Sequence, residues 1–293
     1  MGTLDGKVAI ITGAGQGLGA AHARLFAAEG ARLVLNDLGD GVEEVAAEIV
    51  AAGGEAVTHR ESVSDWDASK AMIDQAVDTY GDLHILVNNA GILRDKMSFN
   101  MDESDWDAVV NVHLKGHFCP SRHAGVYWRA QAKSGNTAPR RIINTSSEAG
   151  LFGNAGQANY AAAKSGIATL AIVFGRELAA YGVTGNAIAP RARTAMTDNI
   201  EFFKAPEDES DFDRFLPENV SPLVAWLASD DTADVNGQVF VVIGGDVWVM
   251  KGWSIAGHLH KDGPWTAEEL AAKKGELFAD HQPVLPDMAV PSW

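Results

Sequence analysis

Tyr160 and Lys164 stand four residues apart in GQANYAAAKSGIATLAIVFG, the stretch from Gly156 to Gly175. The stretch is alanine-rich and free of proline, the composition of a helix interior. In a helix this spacing puts a phenol and an ammonium on one face, about 6 Å apart. A free tyrosine releases its proton near pH ~10, too late for a base at neutrality. A neighbouring ammonium favours the phenolate and lowers that value, each unit being worth about 1.4 kcal/mol. The pair is therefore a candidate general base with its activating cation. The blander alternative is an exposed Tyr and Lys on an ordinary surface helix, because YxxxK is a common pattern.

Such a pair needs a scaffold that ends in a ligand crevice, and the N-terminal half supplies the pattern for one. Lys7 to Thr12, KVAIIT, is a short β-branched run followed by the turn TGAGQGLG and then LGAAHARLFAAEG, of helical composition, stopping at Gly30. In a strand–turn–helix unit, Gly13, Gly17 and Gly19 remove side chains where backbone must approach a phosphate. The helix start, with Gln16 and Leu18, presents unpaired N–H groups to the anion. ARLVLND closes on Asp37, about 18 residues beyond Gly19. A carboxylate there accepts hydrogen bonds from the adenosine ribose and repels a 2′-phosphate, which points to NAD rather than NADP. The alternative is that Asp37 caps the helix beginning near Gly41, although Asp40 is better placed for that.

The alternation continues with VEEVAAEIVAAGG, EAVTHR, DASKAMIDQAVDTYG and LHILVNNAG, whose end at Asn89, Ala90 and Gly91 is small and amide-rich. A helix capped by Ser104 follows, then RRIINTSS, the Tyr160 helix, VTGNAIAP, VSPLVAWLASD and GQVFVVIGG. Repeated βα units argue an α/β fold: a Rossmann-type doubly wound parallel sheet of about seven strands, with ligands at its carboxyl edge. One domain is expected over 1–247. Residues 248–293, with Trp265 and Trp293, form an extension expected to pack on the body or on a neighbouring subunit.

With 293 residues, 46% of them hydrophobic, the chain is long enough for one large core; its net charge is −16 and its pI about 4.9. That acidity argues against nucleic acid or an anionic membrane as partner. The single Cys119 cannot form an internal disulfide, so a cytoplasmic location is expected, with Cys119 a small buried apolar residue. No stretch approaches the ~20 apolar residues of a membrane span, the N-terminus does not read as a signal peptide, and no His/Cys/Asp cluster has metal spacing.

TGxxxGxG, NNAG, a serine thirteen residues before YxxxK, and an N-x-I-A-P strand end together resemble the short-chain dehydrogenase/reductase family, over roughly residues 5–245. NDLG, NNAGILRD, WDAVVNVHLKG and GNAGQANYAAAK are similar to the 3-hydroxyacyl-CoA dehydrogenase branch of that family, which serves β-oxidation. The resemblance implies oxidation of a (3R)-3-hydroxyacyl-CoA with NAD. It makes Tyr160 the general base and gives Lys164 two tasks, lowering that base's pKa and binding the nicotinamide ribose. Ser147 becomes the residue that hydrogen-bonds the substrate oxygen. A helix cap is the other reading of Ser147, a role that would also suit Ser146.

Three departures from the family pattern carry expectations of their own. His113 stands where most of the family has asparagine, Asn111 lying two residues too early; His113 either relays protons or is a neutral core histidine. Ser62 and Val63 replace an Asp-Val pair, so adenine contact falls to the serine hydroxyl and to backbone. Arg191 replaces a glycine after Pro190, ahead of Thr194, the expected partner of the nicotinamide carboxamide. Arg94, Lys96, Arg191 and Arg193 form either a rim for a CoA phosphate or solvated loop charges. Residues 197–215 read as a lid over the substrate or as irregular surface. A 17β-hydroxysteroid or other alcohol is the alternative substrate, and a non-catalytic NAD-binding scaffold the alternative class. A homo-oligomer, dimer or tetramer, is expected through the alanine-rich outer face of the Tyr160 helix.

Overall fold

Successive side chains of a strand face opposite ways, and Val8–Thr12 (β1) uses both faces. Ala9 and Ile11 enter one buried cluster, with Phe26, Leu35 and Val224; Val8 and Ile10 enter another, with Leu86, Ile142 and Trp128. A strand buried on both sides demands helices on both sides. The computed structural model, which describes residues 2–194, 203–206, 208 and 211–279, has that layered form.

In chain order, β1 leads to α1 (Gly17–Ala28), β2 (Arg32–Asn36), α2 (Gly41–Ala51), β3 (Glu55–His59), α3 (Trp66–Tyr80) and β4 (Ile85–Asn88). Then come α4 (Glu103–Val110), α5 (Gly116–Lys133), β5 (Arg140–Thr145), α6 (Glu148–Phe152), α7 (Ala158–Leu178), β6 (Val183–Pro190), α8 (Ser221–Ala228), β7 (Val239–Ile243) and β8 (Asp246–Val249). The strands lie in the order β3-β2-β1-β4-β5-β6-β7-β8. The order reverses between β1 and β4, which opens a crevice at their carboxyl ends.

Pairing is parallel through β7, and β8 returns antiparallel. The sheet thus has eight strands where about seven are expected. Ile243 pairs with Asp246 across Gly244-Gly245, with Gly244 at φ +56°, a two-residue hairpin that glycine permits. The first compact unit accordingly runs through Met250, and Lys251–Trp293 forms a second. Among the described residues of the second unit, α9 (Ala267–Ala272) begins in a Thr266/Glu269 capping box, and Lys261 holds Glu269 at 2.6 Å. Trp293 lies outside the described residues.

Two expected caps are corrected. Asp40 precedes α2 but makes no capping bond; it takes the Arg60 guanidinium at 2.6 Å instead. Helix α4 is capped by Asp102, paired with Asp105 in a capping box, so Ser104 lies inside the first turn. Helices α4 and α5 are joined by a π-helical turn, Asn111–Lys115. Among the described residues no helix is long and apolar enough to cross a membrane.

Candidate active site

The carboxyl end of β5 and the first turns of α7 bring Ser147, Tyr160 and Lys164 together. Lys164 is 3% exposed, and its Nζ donates to the Thr145 carbonyl at 2.6 Å. That Nζ lies 5.5 Å from the centre of the Tyr160 ring. Ser147 caps α6, its Oγ accepting from Ala149 N at 3.2 Å, and it also hydrogen-bonds the Tyr160 phenol. Ser146 does not cap; its Oγ donates to the Lys164 carbonyl at 2.7 Å and fixes the backbone of α7. Gly150 lets α6 close on α7, since a Cβ there would stand 2.6 Å from the Lys164 carbonyl carbon.

The electrostatics depart from the expected direction. Burial pushes Tyr160 up to about 12, the Ser147 hydrogen bond only partly opposing it, and pushes Lys164 down to about 7. Desolvation is the largest cause at both groups, and the lysine amine is turned towards the Thr145 carbonyl.

His113, on the π turn, is 1% exposed. Its Nε2 lies 2.7 Å from the Ile92 carbonyl and 3.0 Å from the Ile92 N–H, while Nδ1 is buried without a partner among the described residues. Its ring meets that of Tyr160 edge-on at 5.1 Å. Burial, reinforced by Lys164, lowers its pKa to about 3, so the imidazole is neutral. Gly91 makes room for it: a Cβ there would fall 2.3 Å from His113 Cε1. Asn111 faces elsewhere, donating to Ser64 Oγ at 2.8 Å, and Ser64 Oγ is 3.0 Å from Ser62 Oγ. Val63 is buried between, its carbonyl taking Ser69 Oγ at 2.7 Å.

Across the crevice, the glycine loop fits a dinucleotide. A Cβ on Gly19 would stand 2.0 Å from the Gly13 carbonyl, and one on Gly13 would stand 2.8 Å from Ala90 Cα. Helix α1 starts after Gln16 without a side-chain cap, which leaves its first N–H groups available to an anion, and Leu18 packs on the core below. Thr194 lies over the loop, its Cγ2 3.2 Å from where a Gly17 Cβ would be. Asp37 caps nothing on α2; its oxygens take Gly15 N at 2.9 Å and Gly39 N at 3.0 Å, which holds the carboxylate beside the loop. Thr12 Oγ1 accepts from Asn89 N and Ala90 N at 2.9 and 3.1 Å and ties the β4 end to β1.

The expected cationic rim is largely neutralised. Arg191 binds Glu148 at 2.8 Å, Arg193 binds Asp213, and Lys96 binds Asp105 at 2.6 Å; Arg94 donates to the Leu93 carbonyl at 2.7 Å. Of the expected lid, 197–202, 207, 209 and 210 lie outside the described residues. Phe203 packs edge-on against Phe215 at 5.1 Å, and its carbonyl takes Arg193 at 3.0 Å. Among the described residues no three metal-ligating side chains come together. Among the buried polar residues near the site are Glu148 behind Ser147 and Asn159 before Tyr160, neither marked by any motif. A polar letter at a helix start carries no signal of burial.

A parallel sheet with a glycine cradle at the switch point, and Ser, Tyr and Lys at the carboxyl edge, is the architecture of an α/β oxidoreductase. Residues 7–204 match the short chain dehydrogenase family model, and the chain belongs to that family, whose members typically bind NAD(P). It is 45% identical over 290 residues to the hydroxyacyl-CoA dehydrogenase ChsB1 of Mycobacterium tuberculosis, covering 96% of this chain and 91% of that one. It is 39% identical over 257 residues to the peroxisomal multifunctional enzyme type 2 of Mus musculus, covering 84% of this chain but only 32% of that larger protein. A crystal structure of a short chain dehydrogenase from Mycobacterium avium superposes with a TM-score of 0.89 at 48% identity, covering 97% and 99% of the two chains.

Proposed function

We propose that this oxidoreductase converts a (3R)-3-hydroxyacyl-CoA to the 3-oxoacyl-CoA with NAD. The observation that carries the reaction is the meeting of Ser147, Tyr160 and Lys164 at the carboxyl edge of the sheet. The acyl-CoA substrate rests on the likeness to proteins named for that activity.

The glycine loop and the start of α1 would hold the pyrophosphate and Asp37 the adenosine ribose, with Ser62 and Val63 at the adenine. Asn89, Ala90, Gly91 and Thr194 would stand at the nicotinamide end, and Lys164 at its ribose. Bound NAD supplies the hydride acceptor and a positive charge. Ser147 holds the substrate oxygen by a hydrogen bond that strengthens as the carbonyl forms, and Tyr160 takes the hydroxyl proton. Lys164 as ammonium favours the phenolate, so the two buried groups ionise more easily together than either does alone. His113, neutral, holds the loop at Ile92.

The likeness to the 3-oxoacyl-[acyl-carrier-protein] reductase of Thermotoga maritima, 38% identical over 248 residues, favours the same bond change run in reverse on another thioester. A free hydroxysteroid remains the competing substrate and a non-catalytic scaffold the competing class. The lone buried Cys119 supports a cytoplasmic location and the alanine-rich face of α7 a homo-oligomer. The test is acetoacetyl-CoA and a steroid ketone offered with NADH and with NADPH. The reading expects acetoacetyl-CoA to be reduced with NADH, and with NADPH about tenfold or more less efficiently. Protein that binds NADH and reduces neither substrate would favour the scaffold.

A further inference from the structure

We infer that Asn159 is a positioning residue that sets the Tyr160 phenol against His113, and so governs proton transfer without touching substrate. The inference rests on the reading of Tyr160 as the base. Asn159 is 0% exposed and spends its whole amide. Its Oδ1 accepts from Tyr160 N at 2.7 Å, and its Nδ2 donates to the Arg94 carbonyl and to the Asp105 carbonyl, each at 3.1 Å. One side chain thereby joins three segments: the start of α7, the loop after β4, and α4.

The other end of the Tyr160–His113 contact leads back to the same two partners. Arg94 lies two residues beyond Ile92, whose peptide faces His113 Nε2. Asp105 lies in α4, which runs directly into the π turn carrying His113. The Tyr160 N–H is among the first-turn donors that a helix cannot satisfy itself, and Gln157, at the N-cap, makes no side-chain cap. Only a side chain with one acceptor and two donors, at asparagine's length, fits this joint.

The joint is not the sole tie between these segments. Gln157 Nε2 donates to Asp95 at 2.7 Å, and Lys96 and Gln157 form a β-bridge. Removing the Asn159 amide is therefore expected to leave the segments docked but the phenol less well aimed. A misplacement of about 1 Å costs on the order of 100-fold in rate.

The experiment compares Asn159→Ala, Asn159→Asp, Gln157→Ala and Tyr160→Phe in acetoacetyl-CoA reduction by NADH, with melting temperature and NADH titration alongside. Asn159→Ala should lower kcat about tenfold or more, with KM and the NADH Kd within about twofold of wild type. Gln157→Ala should keep kcat within about threefold. In Asn159→Asp the carboxylate faces two carbonyls and regains a donor only when protonated, so its kcat relative to wild type should rise as pH falls from 8 to 6. Wild-type kcat in Asn159→Ala beside an inactive Tyr160→Phe would overturn the inference, as would parallel losses of kcat, KM and NADH affinity. Should Asn159→Ala not fold, a pH-independent ratio for Asn159→Asp would overturn it. Full activity in Tyr160→Phe would instead overturn the reading of Tyr160 as the base.

Discussion

Burial disfavours the charged forms of Tyr160, Lys164 and His113 alike. The phenol is held at about 12, the Lys164 amine at about 7 and His113 at about 3, each moved in the direction that disfavours its charged form. At the glycine loop, Asp37 is held by two backbone N–H groups. Replacing it with alanine removes both ties and the partner expected for the ribose hydroxyls. NADH should then bind about tenfold or more weakly, and the preference over NADPH should narrow, as read by fluorescence titration. An unchanged ratio of the two affinities would contradict that assignment. Tyr160, Lys164, Ser147 and Asp37 are legible in the sequence because residue type and local spacing express their chemistry. The direction of the Tyr160 shift was not, since desolvation comes from what the fold packs around the ring. Asn159 was hidden because its partners lie 65 and 54 residues away.

The strand–turn–helix from β1 to α1 is the element on which cofactor binding depends. Gly19 sits against the Gly13 carbonyl at a distance no Cβ tolerates, so Gly19→Ala must open the loop. Overpacking of this kind costs typically about 1–3 kcal/mol, and the opened cradle should raise the NADH Kd about tenfold or more. Calorimetric titration checks the affinity and urea unfolding the stability, and wild-type affinity in Gly19→Ala would contradict the cradle. Although β3, Glu55–His59, is polar and only partly buried, this unit and the six parallel strands after β1 are visible in the alternation of strand-like and helical stretches. Strand β8 is not. Its four residues, Asp246 to Val249, follow a Gly-Gly pair that reads as an ending, and most of them remain exposed. The π turn is equally invisible, since NVHLK has the composition of the helices on either side.

At the scale of the molecule, the buried histidines make stability fall towards acid. His22, bonded to Ser221 at 2.8 Å between α1 and α8, and His113 are both lowered to about 3 by burial, and His84 to about 4. Unfolded, each would titrate near 6.5, so between about pH 6.5 and 3 the unfolded chain binds more protons. Their contribution is complete above pH 6.5 and is lost as pH falls, at up to about 1.4 kcal/mol per pH unit for each histidine. Urea midpoints should therefore drop between pH 7.5 and 5, and His22→Gln should make the slope shallower. Equal midpoints at the two pH values would contradict the burial of these rings as neutral groups. The net charge of −16 works the other way, because protonating carboxylates relieves repulsion, and the His22 variant isolates the histidine part.

The most direct measurement is turnover of acetoacetyl-CoA with NADH by Tyr160→Phe, which removes one oxygen and leaves the ring in place against His113. Loss of the acid–base group should lower kcat about 100-fold or more, with the NADH Kd within about twofold of wild type. A variant that turns over at the wild-type rate would contradict the assignment of Tyr160 as the proton-transfer group.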